Sequence, residues 1–209
     1  MSDTDGGDRL YLVTPTVFEP EDLAGTLTKM LSGGAVACLR LDLGAAPEED
    51  WVRASNHLLP VCHAAEVPLL VTDHYRLVAA LGLDGVHLSD TRTPVRSVRK
   101  TLGAERIVGA AGGVGRHAAI TLAEAGVDYV ALGPLHAEGT LGDGQVADDD
   151  LFAWWAEMIE TPVVAEGGVT PDDVARLRDT ADFFVPDRAI WETADPVAAL
   201  SAYAAALRG

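Results

Sequence analysis

The segment Val163–Pro171, VVAEGGVTP, joins an apolar run to the start of a helix through two consecutive glycines. Gly167 and Gly168 leave backbone N–H groups open to a ligand, and the nearby helix start adds favourable potential for an anion. Arg188, after a later apolar run, would add positive charge. For the two glycines, the alternative is a tight turn that requires glycine and binds no ligand. For Arg188, the alternative is an exposed ion pair with Asp187. We favour a phosphate site for the two glycines.

Two aspartates also follow apolar runs: Asp73 ends LLVTD, and Asp90 comes just after GVHLS. Mg²⁺ takes oxygen ligands and needs only one or two protein carboxylates, so both are candidate metal ligands. Either could instead cap the helix that follows it. Thr72, directly before Asp73, is a candidate substrate-binding hydroxyl.

Arg40 lies at the end of an apolar run, in ACLRLD. Its guanidinium must stay paired or hydrated, so it either lines the mouth of a cavity or bridges to Asp42. We favour the first and predict a catalytic role. Glu166 is a candidate general base, or a partner for Arg40 or Arg188.

The segment Asp128–Gly144, DYVALGPLHAEGTLGDG, ends an apolar run at Gly133 and continues as a glycine-containing loop. Gly133 leaves the backbone bare enough to approach a ligand. His136, in this loop, is the histidine best placed for proton transfer. His87 lies inside an apolar run, which favours a packed, hydrogen-bonded histidine.

All these residues follow or end short apolar runs that alternate with longer amphipathic ones. The runs predict eight strands at Leu10–Thr14, Ala35–Arg40, Pro68–Thr72, Gly85–Leu88, Ile107–Ala110, Tyr129–Leu132, Val163–Ala165 and Phe183–Val185. The amphipathic segments predict helices near 20–32, 48–65, 74–82, 94–102, 115–125, 148–160, 171–179 and 195–207.

Eight strand–helix units in one chain predict a (β/α)8 TIM barrel of class α/β, a single domain over residues 1–209 with a flexible N-terminus at 1–8. A doubly wound sheet would need a glycine fingerprint after the first strand, where the chain has Thr14-Pro15-Thr16. The carboxyl ends of barrel strands carry the active site, which is where the candidate residues fall.

Composition limits the partners. The formal net charge is -17, which argues against nucleic acid and anionic membranes because no basic surface opposes phosphates. Cys38 and Cys62 are the only cysteines and are predicted to be buried thiols. The sequence has no transmembrane-length apolar run and a polar, acidic N-terminus, so we expect a cytoplasmic protein, with a homo-oligomer possible.

Six segments together resemble thiamine-phosphate synthase and its thiazole tautomerase relatives. They are LYLVTP from Leu10, LR at Leu39, LLVTD from Leu69, DGVHLSD from Asp84, VDYVALGPL from Val127 and PVVAEGGVTP from Pro162. The resemblance implies a reaction that joins a hydroxymethylpyrimidine diphosphate to a thiazole phosphate and releases pyrophosphate, with Mg²⁺ as cofactor. Both substrates are small phosphorylated heterocycles.

The resemblance also assigns residues. Arg40 matches the arginine of the second strand, Asp73 a metal-binding aspartate, and Gly167 and Gly168 the glycines that hold the thiazole phosphate. Thr140 matches a threonine of the loop after the sixth strand.

The chain departs from the family pattern around the diphosphate. Asp42 and Leu141 stand where the family has lysines, and Thr72 stands where it has asparagine. Arg92 stands where it has the second metal carboxylate, a role that Asp90 could take over.

We therefore predict a synthase-type transferase with an altered diphosphate pocket. One alternative is an isomerase or tautomerase that acts on a phosphorylated heterocycle through His136 or Glu166. The other is a non-catalytic paralogue that binds a ligand or a partner.

Overall fold

The structure is a computed structural model that describes residues 8–90, 92–138, 145–186 and 188–209. Eight parallel strands form the barrel wall: β1 Leu10–Val13, β2 Val36–Leu41, β3 Leu69–Thr72, β4 Gly85–Leu88, β5 Ile107–Gly113, β6 Tyr129–Leu132, β7 Val163–Val169 and β8 Phe183–Pro186. Each strand pairs with its neighbours in the chain, and β1 closes the barrel against β8. The predicted (β/α)8 fold is confirmed.

Eight helices surround the strands: α1 Pro20–Leu31, α2 Glu48–Ala64, α3 Tyr75–Leu81, α4 Val95–Leu102, α5 Arg116–Glu124, α6 Asp149–Met158, α7 Pro171–Leu177 and α8 Pro196–Arg208. Thr170 caps α7 through its hydroxyl in a capping box with Asp173, and the Asp195 carboxylate caps α8. Both helices begin close to residues 171 and 195, where the sequence placed their starts. Within the described residues, every helix is too short or too polar to span a membrane.

The strands are apolar because both of their faces are buried. Outward-facing side chains form the main core with the helices, and a second cluster that includes Tyr11, Leu70 and Val164 fills the barrel interior. Gly109 on β5 leaves room for this filling, since a Cβ there would lie 1.9 Å from the Tyr129 ring. Residues that point into the barrel are thus set by strand alternation.

Two strands, β5 and β7, run several residues beyond their predicted ends. The β5–β6 pairing shifts register between Ala111 and Gly113, and the β7–β8 pairing shifts between Ala165 and Val169. After each shift the strand pairs once more with its neighbour, through Gly113 on β5 and Val169 on β7. Sequence periodicity does not indicate such irregularities. A short 3₁₀ helix at Arg188–Glu192 was also not predicted. It begins at Arg188, shortly after β8 ends at Pro186.

Candidate active site at the carboxyl end of the barrel

Arg40 and Glu166 form a buried ion pair inside the barrel. Arg40 lies on β2 and Glu166 on β7, with 3.6 Å between Arg40 Nη2 and Glu166 Oε2. The two side chains are 3% and 5% exposed. The Arg40 guanidinium also lies 5.6 Å from the centre of the Tyr11 ring. Glu166 is therefore a partner of Arg40, one of the roles expected for it.

Arg40 stays charged in this setting. Burial alone would lower its pKa, but the Glu166 and Asp42 carboxylates favour the charged form, and the pKa lies above its ordinary value. A buried cation held opposite one carboxylate at 3.6 Å can also accept a second anion.

Polar atoms remain unpaired next to this pair. Arg40 Nε and Thr72 Oγ1 make no hydrogen bond within the described part of the chain, although Arg40 is 2% and Thr72 8% exposed. Because buried polar groups nearly always have a partner, such atoms indicate a place for a polar ligand or water. Arg40 and Thr72 thus occupy positions where a bound substrate could complete their hydrogen bonds.

Arg188 lies over the ends of β1 and β2. Its Nη2 is 2.5 Å from Asp42 Oδ2, and its Nε donates to the Thr14 carbonyl at 3.2 Å. Asp42 also accepts the Gly44 N–H at 3.0 Å. Asp42 therefore pairs with Arg188 and not with Arg40, the partner that the sequence suggested as an alternative. The suggested pair of Arg188 with Asp187 is not tested, because Asp187 lies outside the described residues.

Gly167 and Gly168 form an irregular turn near the end of β7, with φ values of 83° and 79°. These left-handed conformations favour glycine. The loop after β6 is fastened to this turn, because the Leu135 and His136 N–H groups donate to the Gly167 carbonyl at 2.8 and 3.1 Å. The two predicted phosphate-binding glycines therefore lie directly beside the His136 loop.

Gly133 lies against the backbone of β7. A Cβ at Gly133 would approach the Glu166 carbonyl oxygen to 2.2 Å, so a larger residue would push the two strands apart. Its N–H donates to the Gly113 carbonyl at 3.2 Å. The bare backbone predicted for ligand approach thus also serves the close packing of β6 and β7.

His136 has a carboxylate partner that the sequence did not reveal. Its Nε2 lies 2.8 Å from Asp173 Oδ2, and the imidazole is about half exposed while Asp173 is buried. Asp173 also accepts the Thr170 N–H at 2.9 Å and pairs with Arg176. An imidazole oriented by a buried carboxylate is suited to holding or moving a proton at its other nitrogen. Thr140 lies outside the described residues.

Asp73 is bonded to the end of the neighbouring strand. Its Oδ1 accepts the Ser89 N–H at 2.8 Å and its Oδ2 accepts the Ser89 hydroxyl at 2.5 Å. Its φ of 58° is unusual for a residue with a side chain. The helix that follows is preceded by His74 and has no side-chain cap, so the capping alternative for Asp73 is wrong.

Asp90 turns towards Arg92. Its Oδ1 accepts the Arg92 N–H at 2.7 Å, and its Oδ2 is 2.5 Å from Arg92 Nε. These contacts, led by the backbone hydrogen bond, lower the pKa of Asp90. Within the described residues, no group of three or more His, Cys, Asp or Glu side chains could hold a metal ion.

A second polar layer lies deeper in the barrel and is fully connected. The Tyr11 and Tyr129 hydroxyls are 2.6 Å apart, and Tyr129 Oη is 2.9 Å from His87 Nδ1. Burial raises the pKa of the Tyr11 and Tyr129 phenols. Burial and the nearby charge of Arg40 lower the pKa of His87. All three groups are therefore neutral. The prediction of a packed, hydrogen-bonded His87 is confirmed.

The sequence is similar to proteins of one family. A sequence model of the family described as thiamine monophosphate synthase matches residues 10–185. A thiamine-phosphate synthase of Rhodospirillum centenum is 39% identical over 203 residues, covering 96% of this chain and 98% of that relative. A thiamine-phosphate synthase of Erythrobacter litoralis is 32% identical, covering 98% and 97% of the two chains.

Solved structures share the fold. A thiamine phosphate pyrophosphorylase from Pyrococcus furiosus superposes with a TM-score of 0.83 at 21% identity, covering 96% of this chain and 95% of that one. The (S)-3-O-geranylgeranylglyceryl phosphate synthase from Thermoplasma acidophilum gives 0.70 at 12% identity, covering 97% and 94%. At these identities the likeness establishes the fold alone.

Proposed function

Because the chain belongs to the thiamine monophosphate synthase family, we propose that it is a transferase that joins a hydroxymethylpyrimidine diphosphate to a thiazole phosphate and releases pyrophosphate. Its substrates are small phosphorylated heterocycles, which suit a barrel whose mouth carries two arginines among apolar walls. A cytoplasmic location, a homo-oligomer and the absence of nucleic-acid partners stay predictions from the sequence.

The observation that carries this proposal is that two buried atoms, Arg40 Nε and Thr72 Oγ1, have no hydrogen-bond partner among the described residues. Both belong to residues at the ends of neighbouring strands, β2 and β3, where a barrel binds its substrate. A diphosphate offers several acceptor oxygens to a guanidinium and a hydroxyl. We assign the diphosphate to Arg40 and Thr72.

The proposed reaction places the largest charge change on the leaving group. The bond between the pyrimidine methylene carbon and the diphosphate oxygen breaks, and both electrons leave with pyrophosphate. The thiazole nitrogen then donates its lone pair to the resulting pyrimidine cation and forms the new C–N bond. Arg40, fixed between Glu166 and Tyr11, stabilises the negative charge as it grows on the departing oxygen.

The thiazole phosphate is assigned to the opposite side of the mouth. Gly167 and Gly168 have the left-handed φ values that favour glycine, and Arg188 follows β8, the strand next to the glycine turn, with its guanidinium paired to Asp42. His136, held by Asp173, adds a proton donor beside the same turn. These assignments rest on the family resemblance and on this proximity.

The residues proposed for Mg²⁺ fit the ion poorly. Asp73 is engaged by Ser89, Asp90 by Arg92, and the described residues offer no third ligand to complete a cluster. The family resemblance implies Mg²⁺, but we route no step of the reaction through it.

Incubation of the protein with both substrates, and with each substrate alone, tests the function. We expect pyrophosphate and thiamine phosphate in equal amounts only when both substrates are present. Arg208→Met, which removes an exposed arginine from the last turn of α8, is the matched control for variants of Arg40 and should keep full activity. No pyrophosphate release at stoichiometric enzyme would reject the proposal and favour a non-catalytic paralogue.

The His136–Asp173 pair favours a second candidate, an isomerase or tautomerase that moves a proton on a phosphorylated heterocycle. Thiazole phosphate alone, incubated in D₂O, would then take up deuterium on a ring or side-chain carbon. His136→Gln would abolish the exchange, and Asp173→Asn would reduce it. Exchange that is absent from the parent protein rejects this activity.

A further inference from the structure

A pocket of about 460 Å³ lies beside the carboxyl ends of β3 and β4. Its lining includes Asp73, Glu48, Arg76 and Arg92, so two arginines and two acidic residues border the same space. Arg76 lies in the first turn of α3, and Arg92 lies in the loop before α4. Thr72, which we have assigned to the diphosphate, directly precedes Asp73 of this lining in the chain.

The carboxylates of this region are already committed. Both oxygens of Asp73 bond to Ser89, and this bridge fastens the end of β3 to the end of β4. Both oxygens of Asp90 bond to Arg92. Mg²⁺ requires near-ideal octahedral oxygen coordination, which carboxylates engaged in other bonds supply poorly.

The Arg92 guanidinium, by contrast, is available to a ligand. The Arg92 side chain is 85% exposed, and its pairing with Asp90 is an exposed ion pair, which is a weak interaction. A guanidinium binds phosphate oxygens through two parallel N–H groups and carries its charge at every working pH. Arg92 can therefore turn from Asp90 to an incoming anion.

We propose that Arg92, with Arg76, holds the diphosphate directly, in place of a metal ion bound by carboxylates. The identity of the anion as a diphosphate rests on the proposed function. Asp73 then acts as a positioning residue, because its bridge to Ser89 sets the distance between the start of α3, which carries Arg76, and the loop that carries Arg92. Diphosphate binding by this protein is accordingly far less dependent on Mg²⁺ than a carboxylate-based site would be.

Calorimetric titration with pyrophosphate, in EDTA and in excess Mg²⁺, tests this inference. For the parent protein we expect Kd values that differ by less than about threefold between the two conditions. Arg92→Met should weaken binding in EDTA by roughly 10–100-fold, the usual effect of losing a charge-assisted hydrogen bond. Arg92→Asp should bind pyrophosphate only when Mg²⁺ is present.

Arg96→Met, which removes an exposed arginine from α4, is the matched control and should leave both Kd values unchanged. Circular dichroism of each variant confirms folding, and Arg92→Lys provides a milder change if Arg92→Met does not fold. Loss of parent binding in EDTA would overturn the inference, as would an Arg92→Met protein that binds as the parent does.

The pyrophosphate titration and the turnover assay test the two proposals independently, so one can be rejected while the other is supported. Pyrophosphate binding in EDTA without any synthase turnover would support the role of Arg92 and reject the proposed reaction. Turnover with binding that is lost in EDTA would support the reaction and reject the role of Arg92.

Discussion

The barrel interior contains two polar layers that differ in one respect. In the deeper layer, Tyr11, Tyr129 and His87 satisfy one another through hydrogen bonds of 2.6 and 2.9 Å. In the layer at the mouth, Arg40 and Thr72 are equally buried but keep polar atoms that no described residue satisfies. The barrel interior therefore contains buried polar groups that are fully hydrogen-bonded and others that lack a partner among the described residues.

This difference distinguishes polar groups that stabilise the fold from polar groups that bind a ligand. A closed set of hydrogen bonds offsets the cost of burying polar groups and fixes the packing of a core. Open hydrogen-bonding positions cost stability until a ligand fills them. We infer that the deeper layer stabilises the fold, whereas the mouth uses its unsatisfied groups to bind substrate. Changes in the two layers should thus affect different measurements.

The largest effect should follow from removing the buried ion pair at the mouth. Arg40→Met alone would leave Glu166 buried without its cation, at a cost of about 3–5 kcal/mol in the free energy of unfolding. The double variant Arg40→Met/Glu166→Gln avoids this penalty and should stay folded. Its kcat/KM should fall by about 10²–10³, since the charge that stabilises the leaving group is lost. Steady-state assays and thermal unfolding of both variants measure the two effects.

Tyr129→Phe should produce the opposite pattern. The hydroxyl bonds to both Tyr11 and His87, so its removal leaves buried partners unsatisfied and should lower the free energy of unfolding by about 2 kcal/mol. For a chain of this size the Tm should fall by roughly 4–8 °C. Below that temperature kcat/KM should stay within about twofold of the parent's. A large loss of activity at unchanged Tm would contradict the division between the layers.

The pH dependence of stability provides a third test. Burial, reinforced by Arg40, lowers the folded-state pKa of His87, while the unfolded histidine titrates near its ordinary value of about 6.5. Below pH 6.5 the unfolded state binds the extra proton, so the free energy of unfolding should fall as pH decreases, by up to about 1.4 kcal/mol per pH unit.

His87→Gln cannot take up this proton. The difference in unfolding free energy between the parent and the variant, measured in urea from pH 7 to pH 5, should therefore narrow as pH decreases. A constant difference would mean that His87 is not held neutral by the fold.

The smallest effect should come from Thr72→Val. Removal of a buried hydroxyl that lacks a partner should raise the free energy of unfolding by about 1 kcal/mol. Diphosphate affinity should nevertheless fall about fivefold, since one hydrogen bond to the ligand is lost. Urea unfolding and pyrophosphate titration of the same sample measure both. Thr72→Ser, which keeps the hydroxyl, should retain affinity.

Local sequence patterns predicted most of the fold. All eight strands and eight helices lie where apolar runs and amphipathic segments placed them, because each pattern matches the period of its element. The two glycines of VVAEGGVTP adopt the left-handed turn that the sequence offered as the alternative to a phosphate site, and phosphate binding there stays a prediction. The ends of β5 and β7 were misplaced because their irregularities depend on pairing with another strand.

Side-chain partners within the site could not be predicted in this way. Arg188 and Asp42 are 146 residues apart, and His136 and Asp173 are 37 apart. Barrel closure and loop geometry bring each pair together, and neither leaves a local signal. One indication was available: Asp173 follows Thr170 at the spacing of a capping box, which marked it as a residue at the barrel mouth.

The central claim is that the mouth of this barrel transfers a pyrimidine from diphosphate to a thiazole phosphate. ³¹P NMR of a stoichiometric reaction tests it most directly, with the parent and the Arg40→Met/Glu166→Gln protein compared under identical conditions. We predict that the parent converts the substrates to equal amounts of pyrophosphate and thiamine phosphate, while the folded double variant converts them about 10²–10³ times more slowly. Unreacted substrates with the parent protein, or equal conversion by the double variant, would contradict the account.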